Sequence, residues 1–293
     1  MSERAAGSIF DLGYRRYEGR RLGRRDAVLA LYVHGLRASF GLGRRTRSKI
    51  FPIGLAIVAA VPAVVQIMIA SLGAEGLDIF RAEDYYFYIE IILVLFVAVI
   101  APELLGRDER HATLSLYFSR GLSRSEYAWA RYGAMATALL ALTLLPQAIM
   151  FLGNALVGDS FTGYFKDEWR QIGPIVAAGV LISLFLASIG LIIAAQTPRR
   201  AFATVGILAP FLLLTFISSA LVSNIDNIVG RLGIFLNPLA VMDGFTRWLF
   251  NAESDGGPLM EAAFAGGWYF AFALALATIA VALLLRHYQR RSL

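Results

Sequence analysis

Six runs of apolar residues, each about 20 residues long, constrain the fold of this 293-residue chain more than any other feature. A helix of about 20 residues crosses the ~30 Å hydrocarbon core of a bilayer, and a soluble protein cannot enclose six such helices. The sequence therefore predicts an all-α integral membrane protein with six transmembrane helices. We place them at 51–72, 86–105, 129–157, 172–196, 201–223 and 266–286. The fourth is expected to begin at Gly173-Pro174, since proline is common in a first helical turn.

The distribution of basic residues predicts the orientation of the chain. Four segments hold 22 of the 27 Lys and Arg residues but only 8 of the 21 Asp and Glu residues. They are 1–50, 103–131, 197–200 and 286–293. Short cytoplasmic loops are enriched in Lys and Arg, so we expect these segments and both termini in the cytoplasm. The chain then divides into a lead (1–50), a transmembrane domain (51–286) and a tail (287–293). Because the membrane accounts for the positive charge, we expect no nucleic-acid partner.

A short amphipathic segment at 26–42 precedes the first span. Its apolar residues recur at spacings of three and four, which indicates one apolar helical face. They are Leu29, Tyr32, Val33, Leu36 and Phe40. The segment is too short and too polar to span, and arginines flank it on both sides. It fits a helix lying in the membrane surface, with its arginines at anionic lipid headgroups. The alternative is a soluble helix packed on a partner.

The connection at 224–265 lies on the predicted outer side and is apolar in its middle. Asn237 followed by Pro238 is typical of an N-cap and a first helical position, and the apolar stripe behind them extends to about Phe250. A helix of about 13 residues cannot span a bilayer. We therefore predict a re-entrant helical hairpin, or an interfacial helix, before the last span.

Several kinds of active site are excluded by residues that the chain lacks. A P-loop requires a Lys directly after a Gly, but Lys49 follows Ser48 and Lys166 follows Phe165. There is no Cys, and the three His residues are too far apart for a His-x-x-x-His metal site and lie outside the predicted spans. We therefore expect this chain to bind no ATP, metal or other cofactor, and not to be an enzyme by itself.

Polar residues are rare inside the predicted spans. Ionisable residues at such positions usually mark ion pathways, and here only Glu90, near the outer surface, and Glu103, at the inner end of the same span, qualify. The candidates for a translocation path are Gln66, Glu90, Gln147 and Asn154. Glu90 is alternatively a carboxyl that reaches the membrane surface or is hydrogen-bonded between helices. Because coupling-ion sites are scarce, we expect the energy for any uphill transport to come from elsewhere.

The cytoplasmic loop at 106–128 combines both signs of charge with aromatic residues. We expect two helices divided at Gly121, and Ser123 with Glu126 forms a capping box for the second. The first helix carries Tyr117 and Phe118, which a solvated loop does not require. They are either anchors for another protein or packed beneath the membrane ends of the spans.

This loop resembles a motif that follows the second span in the permease subunits of ABC-2 type transporters. In that family a Glu, a Gly-Thr-Leu, a Ser-x-Pro and an Arg occur in this order. The matching residues here are Glu109, Thr113, Leu114, Ser119 and Arg124. The sequence differs at Ala112, Gly121 and Arg131, where Gly, Pro and Lys are common in the family. The wider resemblance covers nearly the whole chain, and residues 11–17 resemble the start of some bacterial members.

The resemblance implies the permease subunit of a bacterial ABC exporter in the cytoplasmic membrane. Two permease subunits, identical or different, would surround a substrate path, and two separate ATPase subunits would bind ATP and Mg²⁺ beneath them. The 106–128 loop would be the coupling helix, the 26–42 helix the connecting helix, and 234–250 the external re-entrant helix. The residues implied to contact the ATPase subunit are Asp108, Glu109, Arg110, Thr113, Leu114, Tyr117, Arg120 and Arg124.

Two functions of other classes stay open. An ion-driven carrier or channel would need titratable residues along its path, of which Glu90 and Glu103 are the candidates. A membrane scaffold or assembly factor would carry no substrate at all.

Overall fold

In the computed structural model, the described residues are 18–19, 23–43, 46–72, 80–119, 121–158, 160–253 and 256–290. Regular structure within these ranges is helical throughout. The α-helices are α1 (Arg24–Ser39), α2 (Arg47–Ser71), α3 (Tyr85–Leu104), α4 (Gly106–Arg110), α5 (Leu114–Ser119), α6 (Arg124–Val157), α7 (Phe161–Ala194), α8 (Arg200–Asn224), α9 (Ile228–Leu232), α10 (Pro238–Phe250), α11 (Pro258–Ala262) and α12 (Gly266–Arg290). A 3₁₀ turn, Gly233–Leu236, joins α9 to α10.

Six of these helices are long and apolar enough to cross a membrane, which confirms the predicted all-α membrane protein. They are α2, α3 with its continuation α4, α6, α7, α8 and α12. Helices α6 and α7 are longer than predicted, at 34 residues each. The predicted start of the fourth span is wrong, because α7 begins at Phe161 and Pro174 lies in its interior. Ser160 caps the helix by accepting from the backbone N of Gly163 at 3.2 Å, so the helix forms well before the proline.

The centre of the bundle is formed by α3, α6 and α7. In α3 and α7, 67% of the apolar stretch is buried, against 22% in α2 and α8. The close crossing of α3 and α7 requires a glycine, because a Cβ at Gly190 would overlap the side chain of Val97. Small residues at such crossings allow two backbones to pack closely within a membrane. The peripheral helices α2 and α8 therefore present most of their apolar surface away from the chain's own core.

Polar contacts gather several helix ends at one end of the bundle, which we call the arginine-rich end. Arg24 of α1 pairs with Glu126 of α6 at 2.7 Å, and Glu103 of α3 pairs with Arg200 of α8 at 2.7 Å. Arg124 donates to the backbone O of Gln289, at the end of α12, at 2.9 Å. These helix ends belong to the segments that the charge count assigns to one side of the membrane.

The predicted helix is confirmed as α1, and it packs on α6 mainly through residues outside the apolar face that is predicted to lie in the membrane surface. Leu31, Gly35 and Ala38 are buried, whereas Leu29 is 58% exposed. The small residues decide the face, because a Cβ at Gly35 would lie 2.9 Å from the Cβ of Ala134 in α6. Tyr32 donates from its hydroxyl to the Oγ1 of Thr137 at 2.9 Å. The helix thus packs on α6 of its own chain.

The segment between α8 and α12 contains the predicted short helix. Asn237 caps α10 by accepting from the backbone N of Leu239 at 3.0 Å, and Pro238 is the first residue of the helix. The chain bends by 94° between Ile228–Leu236 and Pro238–Phe250. Val241, Met242 and Phe245 are buried, as the apolar stripe predicts.

Candidate functional site

The loop that follows the second span is a compact helical corner. Helix α4 continues α3, and Ala112 then turns the chain with a φ of 50°. Thr113 closes the turn, because its backbone N and its Oγ1 donate to the backbone O of Asp108 at 3.0 and 3.1 Å. Helix α5 follows, and Gly121, with a φ of 85°, separates it from α6. The predicted capping box is confirmed, since Ser123 accepts from the backbone N of Glu126 and donates its own N to the Glu126 carboxylate.

A buried ion pair fastens this corner to α6. The Asp108 carboxylate binds the Nη2 of Arg131 and accepts from the Tyr127 hydroxyl at 2.7 Å. The Arg131 side chain is 3% exposed, and its guanidinium lies 5.4 Å from the centre of the Tyr127 ring. Asp108 is therefore largely buried and fastens the loop to α6, while its predicted contact with an ATPase subunit stays a prediction. Sequence reasoning treated Arg131 only as a departure from the family motif, because no local pattern relates it to Asp108.

The aromatic residues of α5 face inward. The Tyr117 and Phe118 rings lie 5.9 and 6.0 Å from the Tyr127 ring, which in turn lies 5.2 Å from that of Tyr288 in α12. Leu114 is buried beside them. Packing beneath the span ends, the second of the two interpretations, therefore describes Tyr117 and Phe118.

The outward surface of the corner consists of other residues. Leu116 is 61% exposed, and Arg107 and Arg110 are also exposed. Arg110 donates to the backbone O of Pro198, in the turn between α7 and α8, at 3.2 Å. Leu116 was not among the predicted residues. The spacing of Leu114, Tyr117 and Phe118 defines the inner face of α5 and would have placed Leu116 opposite.

The remaining predicted residues of the loop occupy intermediate positions. Glu109, Thr113 and Arg124 are half-buried. The guanidinium of Arg124 lies over the Phe118 ring at 5.9 Å. Arg120 lies outside the described residues. A cavity of about 330 Å³ separates the corner from α1. Its lining includes His34, Glu103 and His111 as well as the ion pair of Asp108 and Arg131.

The polar residues predicted for a translocation path are divided among different places. Gln66 accepts from the backbone N of Phe80 at 3.1 Å, and Gln147 donates to the backbone O of Ala82 at 2.8 Å. Both side chains thus hold the chain that leads into α3. Asn154 is half-buried on α6. Glu90 belongs to a separate polar cavity.

This second cavity lies at the opposite end of the bundle, which we call the acidic end, between α3, α8, α10 and the loop at 256–259. Its volume is about 410 Å³, and Glu90, Asp243 and Arg247 are its charged lining residues. Arg247 binds Asp243 through its Nε at 3.0 Å and Asp84 through its Nη2 at 3.3 Å. The sequence gives no local sign of this cluster, because its members come from α10 and from the distant α3.

No protein-family model matches the chain, and a comparison with curated proteins finds no significant match. Within the described ranges, no group of three or more His, Asp and Glu side chains is arranged to hold a metal ion.

Proposed function

We propose that this chain is the membrane-spanning permease subunit of an ATP-binding cassette exporter, driven by a separate ATPase subunit. The observation that carries the proposal is the helical corner of α4 and α5. It bears the motif residues Glu109, Thr113 and Leu114, is fastened to α6 through Asp108, and exposes Arg107 and Leu116. A corner held rigidly at its base and free on its outer surface is suited to receive a force from another protein.

The backbone of the turn supports the family resemblance at a position where the sequence departs from it. Ala112 has a φ of 50°, in the left-handed region. Glycine adopts this conformation without steric cost, and glycine is the residue that the family usually has there. The departure therefore leaves the turn geometry unchanged and affects only its strain.

The contacts of the corner suggest how movement would reach the spans. Helix α4 is continuous with α3, Arg110 reaches the turn before α8, and Arg124 reaches the end of α12. Packed elements and hydrogen bonds of this kind carry coupling between distant sites. Closure of ATPase subunits, with ATP and Mg²⁺ bound to them, would shift the corner and with it the ends of several spans.

The proposal includes an orientation and a location. The arginine-rich end and both termini would lie in the cytoplasm, and the membrane would be the bacterial cytoplasmic membrane. Helix α1 would be the connecting helix and α10 the external re-entrant helix. A second permease subunit, identical or different, would cover part of the apolar surface of α2 and α8, and lipid would cover the rest.

Of the alternatives, the ion-driven carrier has less support from the contacts. Glu103 is paired with Arg200 at the arginine-rich end. Of the two carboxylates proposed for ion coupling, Glu90 alone lines the cavity at the acidic end. We therefore place the energy source in another subunit.

The test of function is association with an ATPase. The purified protein should co-elute from its native membrane with a P-loop protein identified by mass spectrometry, and with ATP hydrolysis. Leu116→Asp should remove both, because it places a charge at the centre of the exposed surface. Leu232→Asp, an exposed leucine at the acidic end, is the matched control and should remove neither. Retention of the ATPase by Leu116→Asp, with an unchanged thermal midpoint, would contradict the proposal.

Orientation is tested separately by cysteine labelling, which the absence of native cysteine makes direct. An impermeant maleimide added to intact cells should label Asp167→Cys, at the start of α7, but not Ser115→Cys, in α5. Both positions are exposed. Labelling in the reverse pattern would place the helical corner outside the cell and exclude a cytoplasmic ATPase as its partner.

A further inference from the structure

The cavity at the acidic end has the size and the lining of a small-molecule site. Its volume of about 410 Å³ falls within the usual range for ligand pockets, about 300–1,000 Å³. Phe87, Leu239 and Leu259 supply apolar surface, while Ser219 and Glu90 supply polar groups. The arrangement suits a molecule with an apolar body and one polar head.

The charges around the cavity do not balance. The guanidinium of Arg247 binds Asp243 through its Nε and Asp84 through its Nη2. Its Nη1 donates to the backbone O of Glu253 at 3.0 Å. One guanidinium therefore faces two carboxylates before Glu90 is counted. From α8 only hydroxyl groups, of Thr215 and Ser219, face the cavity, and the described part of the 256–259 loop adds no charge. A positively charged ligand would restore neutrality.

A buried hydroxyl beside Glu90 also lacks a partner. Thr246 is 2% exposed, and its Oγ1 has no hydrogen bond within the described structure. It lines a smaller void that adjoins the cavity, with Phe87, Glu90 and Asp243 common to both. A buried polar atom without a partner costs free energy. A ligand that donates hydrogen bonds would satisfy it.

The available polar groups are mainly acceptors. An ionised Glu90 carboxylate is an acceptor only, and the Thr246 and Ser219 hydroxyls each have lone pairs that can accept. Asn237 has already committed its Oδ1 to Thr215 and to the backbone N of Leu239. A primary ammonium, with three N–H donors and one positive charge, matches these acceptors and the neighbouring carboxylates, whereas an anion does not.

We propose that the cavity between α3, α8 and α10 binds a primary ammonium compound with an apolar body, with Glu90 as its counter-ion. The ammonium group would lie at the adjoining void and donate to Glu90 and to the hydroxyl of Thr246. The apolar body would lie against Phe87 and Leu259. This inference does not depend on the proposed function, because such a site would bind its ligand without an ATPase subunit.

The test uses the purified full-length chain in detergent and isothermal titration calorimetry. The probe is 2-phenylethylammonium, and 2-phenylethanol is its neutral counterpart of nearly the same shape. We expect the ammonium to bind at least about tenfold more tightly, which is the range for a hydrogen-bonded charge. Equal affinity of the two probes would overturn the proposal. Sodium chloride that displaces the ammonium at equal concentration would also overturn it, since the site would then bind inorganic cations.

Variants locate the binding. Glu90→Gln keeps the shape of the side chain and should reduce ammonium affinity about tenfold or more, with little effect on 2-phenylethanol. Thr246→Val should reduce it by a smaller factor. Glu83→Gln, a half-buried glutamate of the same end that does not line the cavity, is the matched control and should bind as the wild type does. Unchanged ammonium affinity in Glu90→Gln would overturn the assignment.

If Glu90→Gln fails to fold, Thr246→Val and the comparison of the two probes on the wild-type chain still decide the matter. The result is also separate from the proposed function. Loss of ATPase association in Leu116→Asp leaves the ammonium site intact, and absence of ammonium binding leaves the helical corner unaffected.

Discussion

The two ends of the helical bundle each contain an arginine bound to an aspartate, but the surroundings of the two pairs differ. At the arginine-rich end, Arg131 and Asp108 match one to one, and Tyr127 completes the shell of the carboxylate. At the acidic end, Arg247 is shared between Asp243 and Asp84, and Glu90 lies nearby. The first cluster is neutral and buried, although it lines the cavity of about 330 Å³ beside α1. The second has excess negative charge and borders a cavity.

This difference separates two uses of buried charge. An ion pair that is neutral and buried fixes one geometry, and the removal of either partner leaves a charge without compensation. A cluster with an unmatched carboxylate next to open space can bind a ligand of opposite charge. Under the two proposals made above, the arginine-rich end would transmit force and the acidic end would bind a molecule. Variants at both ends test this difference.

The largest effect is expected from Arg131→Met, which leaves the Asp108 carboxylate buried without its cation. Breaking a buried pair in this way costs about 3–5 kcal/mol. We expect a large fall in the midpoint of thermal unfolding in detergent, followed by circular dichroism. The corner of α4 and α5 should become susceptible to limited proteolysis at the same time.

Two further variants serve as controls for this prediction. Arg110→Met removes an exposed arginine of the same end, which donates to the backbone O of Pro198, and should change the midpoint only slightly. Asp108→Leu combined with Arg131→Met removes both charges and should recover much of the loss. A single Arg131→Met variant as stable as the wild type would show that the pair does not hold the corner.

The helical architecture was predictable because its signal is repeated and local. Each of the six spans needs only a run of apolar residues, and Ser123 and Asn237 have the residue types that cap helices. Local preference failed at Pro174, which lies inside α7 although proline favours a first turn. The pattern also did not predict the contact of α1 with α6, where the close approach at Gly35 decides which face is buried.

The two charged clusters were not predictable, because they join residues with no local relation. Asp108 and Arg131 lie on different helices, and Asp84 and Arg247 are 163 residues apart in the sequence. Glu90 was recognised as an unusual residue within a span. Its neighbours Asp243 and Thr246 could be identified only once α10 had been positioned against α3. A sequence pattern indicates which residues are unusual, and the packing decides what they meet.

A smaller effect is expected where α10 packs on α12 at the acidic end. A Cβ at Gly244 would lie 2.5 Å from the Cγ of Tyr269. Gly244→Ala should therefore push α10 away from α12, at a cost of about 1–3 kcal/mol for overpacking. Thermal unfolding measures the loss, and ammonium binding should weaken with it because α10 forms a wall of the cavity.

Gly267→Ala provides the control, since a Cβ at this position in α12 would have no neighbour within 4 Å. Alanine is the better helix former by up to about 1 kcal/mol, so this variant should be as stable as the wild type or slightly more stable. Equal behaviour of the two variants would mean that α10 tolerates displacement.

The N-caps of the two ends offer a comparison of intermediate size. Removal of an N-cap side chain costs about 0.5–2 kcal/mol. Asn237 is 5% exposed and binds Thr215 as well as the backbone of α10, whereas Ser123 is half-buried and binds Glu126. Asn237→Ala should therefore lower the thermal midpoint more than Ser123→Ala. The reverse order would indicate that the capping box, rather than burial, sets the strength of a cap in this protein.

The smallest effect is expected from the exposed pair that joins α1 to α6. Arg24 is 61% exposed and pairs with Glu126 at 2.7 Å. Exposed pairs contribute about 0–1 kcal/mol, and the charges are screened at high ionic strength. Arg24→Gln should therefore lower the thermal midpoint slightly at low salt and not at all in about 1 M salt, where the Debye length is about 3 Å. Because Tyr32 and Gly35 also hold α1 on α6, the helix should stay in position. A large fall in the thermal midpoint that does not depend on salt would mean that the arginine-rich end depends on a second charged contact as strongly as on Arg131. The two ends would then not differ in the way that their ion pairs indicate.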